Sequence, residues 1–274
     1  MLETIHKRRS VRTFKNTPIK AKDLKAIVEI LKTTESQTGP FNHHVKFFIL
    51  EETFTADEQK VKIGTYGFVK NPQGFIGGKT VNDFEALVDF GYLFEDIILQ
   101  LTKIDIGTVW LGGTFKRKQF SSLIDNNEFI PAISPIGYTK DKQTLREKLI
   151  RKKINANQRK PFEELFFDHL TETPIQNNHP LGHLLELVQL GPSASNKQPW
   201  RITIDDQAVH FFLERTRNYA TILPYDIQVL DMGIAIKHFE IGLKESKIPY
   251  QIAHEPITFR DYQYIISFRL ERNS

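Results

Sequence analysis

Two stretches of the chain carry the same signals in the same order, and this repetition constrains the fold more than any single motif. Leu24, Ile27, Val28 and Leu31 follow the i, i+3, i+4, i+7 spacing of one helical face, and Leu181, Leu184, Leu185 and Val188 repeat it. Each is preceded by the same tripeptide, Thr17-Pro18-Ile19 and Thr173-Pro174-Ile175. Proline disfavours helix in the residue before it and so marks a helix start. A polar turn and an apolar strand follow in both copies. The first reads Gly39-Pro40-Phe41-Asn42-His43-His44 and then Val45 to Leu50; the second runs from Gly191 to Trp200 and then Arg201 to Ile204. A long helix comes next, in which Asp89-Phe90-Gly91 matches Asp231-Met232-Gly233. That register pairs Phe94 with Ile236, Ile97 with Phe239, Leu101 with Leu243 and Ile106 with Ile248. A glycine inside a helix costs about 1 kcal/mol relative to alanine. Its presence at one place in both copies predicts the close approach of another helix.

Four matched elements in one order read as a duplication. The offset is 156 residues at Thr17/Thr173, 154 at Asn42/Asn196 and 142 at Asp89/Asp231. The first copy therefore holds about twelve extra residues (154 − 142) between its strand and its second helix, within the Gly-rich segment Glu51 to Val81.

The length of 274 residues allows one large domain or two ordinary ones. The absence of cysteine removes disulfides, thiolate metal sites, iron–sulfur clusters and cysteine nucleophiles. A net charge of +4 does not by itself hold a protein on DNA. The positive charge is clustered, at His6 to Lys15 and again from Lys148 to Lys160. No run reaches the ~20 apolar residues of a membrane helix, and no apolar core follows the basic start as a secretory signal requires. The expectation is a soluble, cytoplasmic protein.

Several motifs are weak. Gly78-Lys79-Thr80 ends like a phosphate-binding loop, but Gln73 stands where that pattern needs glycine. His179 and His183 are four apart, yet lack a third ligand, and no metal site is expected. No Gly-x-Ser-x-Gly elbow occurs. The basic stretch has no interleaved aromatics for stacking bases, so nucleic acid is not the expected partner.

Three segments carry more. Arg8-Arg9-Ser10-Val11-Arg12-Thr13-Phe14 offers three guanidinium forks and a hydroxyl, groups suited to phosphate oxygens. Pro192-Ser193-Ala194-Ser195-Asn196-Lys197-Gln198-Pro199-Trp200 sets short polar side chains on a turn. Trp110-Leu111-Gly112-Gly113 brings bare backbone toward a ligand.

Together these segments resemble the FMN-dependent nitroreductases, whose hallmarks are an R-R-S-x-R-x-F start, a P-S-x-x-N-x-Q-P-W loop and a D-x-G helix leading to W-x-G-G. The chain looks most like the branch in which two nitroreductase-like halves are fused. The resemblance implies an α+β fold of mixed sheets flanked by helices, its two tandem half-copies mimicking the family homodimer. The expected division is residues 1–158 and 159–274, intertwined as one structural unit. In the family, one subunit contributes the arginine arm and the other the P-S-x-x-N loop. Here the arm stands only in the first half, and the intact loop only in the second. The arm's counterpart, Glu164 to Asp168, is acidic and aromatic, and the loop's counterpart has Phe41 where serine is lost. One complete FMN site per chain is therefore expected.

By this resemblance Arg8 and Ser10 bind the phosphate and ribityl chain, Arg9 belongs to the same cofactor-binding arm, and Arg12 lies by the pyrimidine edge. Ser193 and Asn196, with Pro192 in the same cofactor-binding loop, hydrogen-bond the isoalloxazine or its ribityl chain from the second half, Gly112 and Gly113 approach N5, and Arg159 adds a phosphate cation, with Lys160 second. The implied activity is hydride transfer from NAD(P)H through flavin N5 to a nitroaromatic, quinone or similar acceptor, with no catalytic side chain. The implied assembly is a monomeric pseudo-dimer, with further dimerisation open. The Gly-rich insert is placed either to cover the flavin or to block it. The second case gives the alternative reading, a non-catalytic flavin-binding or degenerate scaffold protein.

Overall fold

The computed structural model describes residues 1–51, 65, 69–125, 127–140 and 158–271. Most of the first copy's insert and the basic stretch as far as residue 157 lie outside these. The described helices are α1 (Leu2–Lys7), α2 (Ala21–Glu35), α3 (Phe84–Lys103), α4 (Phe162–Leu165), α5 (Gly182–Gln189) and α6 (Ile227–Glu245). No helix among the described residues is long and apolar enough to cross a membrane.

Strands β1 (Lys46–Glu51), β2 (Gly74–Val81), β5 (Ile133–Tyr138) and β3 (Ile106–Gly107) form one sheet in the order β1-β2-β5-β3, with β4 (Glu128–Phe129) paired to β2. Strands β7 (Trp200–Ile204), β8 (Ala208–Leu213), β10 (Gln263–Leu270) and β9 (Tyr250–Ala253) form the second in the order β7-β8-β10-β9, with β6 (Phe166–Asp168) added parallel to β7. The two orders correspond strand for strand, and α2 and α3 correspond to α5 and α6. The α+β fold of two half-copies, read above from sequence, is the observed architecture.

The copies meet at α3 and α6. A Cβ on Gly91 would lie 2.2 Å from the Leu230 carbonyl oxygen, and one on Gly233 would lie 2.1 Å from that of Val88. The offset of 142 turns Gly91 into Gly233 and Val88 into Leu230, so each contact is the image of the other. That reciprocity is what a two-fold interface produces. The paired positions Phe94/Ile236, Ile97/Phe239 and Leu101/Leu243 are all fully buried, and one apolar cluster takes in residues of both copies. Ile106 and Ile248 fall beyond the helix ends. Both helices are left through a left-handed residue, Asp105 (φ 62°) and Lys247 (φ 56°), again 142 apart.

Two expectations change. The glycines 74, 77 and 78 are not a loop or lid. They lie in β2, opposite Glu51, Phe48 and Phe47. A Cβ on Gly77 would stand 2.5 Å from the Phe48 ring, so the bare positions make room for cross-strand aromatics. Gly78-Lys79-Thr80 is thus mid-strand, and Lys79 Nζ pairs with Glu128 (2.7 Å) and Asp125 (3.1 Å). The length difference is also a net figure. The first copy has the longer link from β1 to β2, while the second has its own long link, residues 214–226, from β8 to α6.

Candidate functional site

Each copy's long helix grips the loop that follows its first helix. Asp89 accepts from the backbone N–H of Phe41 (3.0 Å) and His43 (2.8 Å), and Asp231 accepts from that of Ala194 (3.0 Å). Burial pushes the Asp89 carboxyl up to about 6, against the pull of those N–H donors, and lifts Asp231 well above the usual carboxylate range. The D-x-G signature therefore joins two structural roles, a loop anchor and a helix crossing.

In the second copy the anchored loop is left-handed at Ser195 (φ 48°), Asn196 (φ 57°) and Gln198 (φ 49°). For residues with a Cβ this conformation costs roughly 1–2 kcal/mol each. Local bonds hold it: Ser193 Oγ accepts from Gln198 N (2.9 Å), and Arg159 Nη1 donates to Asn196 Oδ1 (3.1 Å). Asn196 Nδ2 donates to the Gln158 carbonyl (2.8 Å), and Arg159 Nη2 to that of Leu190 (3.2 Å).

The arginine arm leaves α1 in extended form. Ser10 bridges Thr108 in parallel, and Val11 N donates to the Thr108 carbonyl (2.8 Å). Side chains alternate along an extended segment, and the arm divides accordingly. Arg8, Ser10 and Arg12 face a cleft between the copies, whereas Arg9 and Val11 line a separate depression with Lys7, Asp105 and Gly107.

The cleft encloses about 740 Å³ of space, part of it open to solvent. Arg8, Ser10, Arg12, Gly112, Arg159, Pro192, Ser193 and Asn196 all line it. Its apolar walls are Val109, Trp110, Ile227, Leu230 and Ile234. Three guanidinium groups stand there against one carboxyl, Asp231. Gly112 serves packing as well as access, since a Cβ there would lie 2.5 Å from the Ile227 side chain. Gly113 is not part of the lining, and the nearest atoms to a Cβ there are those of Leu223 at 3.7 Å. Lys160 is also outside the lining, and burial beside Arg201 lowers its pKa.

The positions related to the cleft by the repeat, drawn from both copies, carry aromatic side chains. Phe41 packs on His254 at 4.7 Å between ring centroids, and Phe166 and Phe167 are buried in the second sheet. His179 Nδ1 accepts from Leu181 N (3.2 Å) at the entrance to α5.

Three participants escaped sequence reading. Asp231 was visible only as a repeat mark. Tyr219, in the link 214–226, donates to Ser195 Oγ (2.9 Å) and lies under the Lys197 ammonium. Glu95, fully buried in α3, accepts from the Trp110 indole (2.7 Å) and stands 4.0 Å from Arg8 Nε. An acid in an otherwise apolar helix stretch was the available signal.

The family model described as "Putative TM nitroreductase" matches residues 1–243. A crystal structure of a putative nitroreductase from Thermotoga maritima is 21% identical, covers 98% of this chain and 92% of its own, and superposes with a TM-score of 0.63. At that identity the likeness establishes the fold. A nitroreductase with bound FMN from Bacteroides fragilis is 21% identical over 53% of this chain and 90% of its own, with a TM-score of 0.40. A putative NADH dehydrogenase/NAD(P)H nitroreductase from Bacteroides thetaiotaomicron is 17% identical over 52% and 88%, with a TM-score of 0.41. No curated protein matches the chain. With the family model spanning most of its length, the chain belongs to the TM nitroreductase family.

Proposed function

We propose that the chain is an FMN-dependent oxidoreductase with one flavin site, in the cleft between its two copies. The observation that carries this reading is convergence. Arg8, Ser10 and Arg12 from the first half, and Arg159, Ser193 and Asn196 from the second, all line one cleft. The donor set suits FMN. Guanidinium groups match a phosphate dianion, hydroxyl and amide groups match a ribityl chain and ring edge, and the apolar walls match a planar ring system. FMN is the flavin carried by the Bacteroides fragilis protein.

Arg8 and Arg159 hold the phosphate in this reading, and Ser10 meets the ribityl chain. Arg12 offers positive charge to the pyrimidine edge. Ser193 and Asn196 orient the ring from the far side of the cleft, and Gly112 leaves its approach open. Arg9 and Gly113 do not line the cleft and have no contact with the cofactor in this reading. Bound there, FMN supplies the hydride relay from NAD(P)H to a nitroaromatic, quinone or similar acceptor. Residues 1–158 and 159–274 act as the two halves of a monomeric pseudo-dimer. Purified protein loaded with FMN is expected to lose its yellow absorption band on anaerobic addition of NADH or NADPH and to regain it with a quinone. A band that neither nucleotide bleaches contradicts the oxidoreductase reading, and protein that takes up no FMN contradicts the site itself.

A further inference from the structure

Glu95 occupies an unusual place. It is fully buried in α3, directly beneath the cleft, and its two oxygens are shared among three chain segments. Oε2 accepts from the indole of Trp110, at the end of the segment that follows β3 (2.7 Å). Oε1 lies 3.0 Å from His238 Nε2 in α6 and 4.0 Å from Arg8 Nε in the arm. His238 is fixed in turn, its Nδ1 lying 2.8 Å from the Leu187 carbonyl oxygen; both ring nitrogens face acceptors, so Nδ1–H donates to the carbonyl and Nε2–H to the Glu95 carboxylate. Both Arg8 and Trp110 line the cleft.

The repeat register shows that this arrangement exists once. The offset of 142 places Lys237 at the position of Glu95 and His238 at that of Asp96. The crossing pairs are Glu95 with His238 and Asp96 with Lys237, the latter at 3.4 Å. Each pair joins the first position of one copy to the second position of the other. The two contacts are therefore images in geometry but opposite in charge, with acids on α3 and bases on α6. A buried carboxylate can hold an arginine from an arm, whereas a lysine in its place repels one. The charge pattern at the interface thus agrees with the side of the molecule on which the arginine arm survives.

We propose that Glu95 is the positioning residue of the cleft. It holds Arg8 and Trp110 at the cleft floor and is itself held by His238 from the other copy. The inference rests on the flavin reading of the cleft and assigns to one carboxylate the orientation of its phosphate-binding arginine. A purely structural Glu95–His238 pair would only join the two helices, as Asp96–Lys237 does. The second pair therefore provides a matched control.

The experiment is FMN titration of flavin-free full-length protein, followed by flavin fluorescence, with thermal melts of every variant. Glu95→Gln keeps the shape and removes the charge, and it is expected to weaken FMN binding about ten-fold. Glu95→Asp restores a carboxylate and is expected to recover most of that loss. Lys237→Met is expected to lower the melting temperature while leaving FMN affinity within about two-fold of wild type. Wild-type protein that binds FMN, with Glu95→Gln binding it equally well, overturns the positioning role and leaves the flavin reading standing. Equal loss of affinity in Lys237→Met and Glu95→Gln assigns Glu95 to the interface alone and also overturns it. Wild-type protein that binds no FMN overturns both. Should Glu95→Gln fail to fold, His238→Gln carries the same test, because it leaves the carboxylate and removes its anchor.

Discussion

Gly233→Ala is expected to lower the melting temperature by about 10 °C or more. The added methyl group would stand 2.1 Å from the Val88 carbonyl oxygen and 2.5 Å from Tyr92 N. Both are backbone atoms of a packed helix, so no side-chain rotation relieves the overlap, and α3 and α6 must separate. Overpacking of this kind costs roughly 3–5 kcal/mol once a whole interface is displaced, out of a total stability of about 5–15 kcal/mol. Alanine's better helix propensity returns only about 1 kcal/mol. Gly91→Ala, aimed at the Leu230 carbonyl oxygen at 2.2 Å, is expected to do the same. Gly113→Ala is the control, since its nearest neighbours are the Leu223 methyls at 3.7 Å. Calorimetric melts of the three variants check the result. A Gly233→Ala protein as stable as Gly113→Ala contradicts the helix crossing described above.

The second large effect is expected at the arm. Arg8→Ala combined with Arg12→Ala removes two of the three guanidinium groups of the cleft, and FMN affinity is expected to fall by about a hundred-fold or more. Arg9→Ala is expected to leave affinity within about two-fold, because alternation along the extended arm turns Arg9 into a different depression. Equilibrium dialysis at fixed ionic strength separates the two. Equal losses in both variants indicate a general electrostatic attraction rather than a site facing one way. Retention of flavin by the double variant places the phosphate elsewhere.

The contrast between Arg9 and its neighbours shows where sequence reading reaches its limit. Three arginines within five residues announce an anion site, but only the extended backbone distributes them between two faces. The repeat was legible because duplication preserves apolar periodicity and glycine at a helix crossing. Both helices, the first strand of each copy and the close approach at Gly91 and Gly233 were readable in this way. The link 214–226 was not, because the offset between copies reports only a net length, and an insertion in each copy partly cancels. The role of glycines 77 and 78 was not legible, since it depends on Phe48 and Phe47, brought opposite by strand pairing alone. Asp231 stood out as a repeat mark, but its hold on the Ala194 N–H belongs to tertiary structure. Glu95 and Lys237 share a register with opposite charge, a signal present in the sequence whose meaning depends on the crossing of α3 and α6.

The central claim is that the two copies have diverged so that one chain builds one cofactor site from residues of both. The ratio of tightly bound FMN to polypeptide tests this most directly, measured by flavin release and quantitative amino-acid analysis of saturated protein. The account predicts a ratio of one. A ratio of two would show that the symmetry-related position, where Phe41 of the first copy and the buried Phe166–Phe167 pair of the second stand, still holds a flavin, and would contradict it.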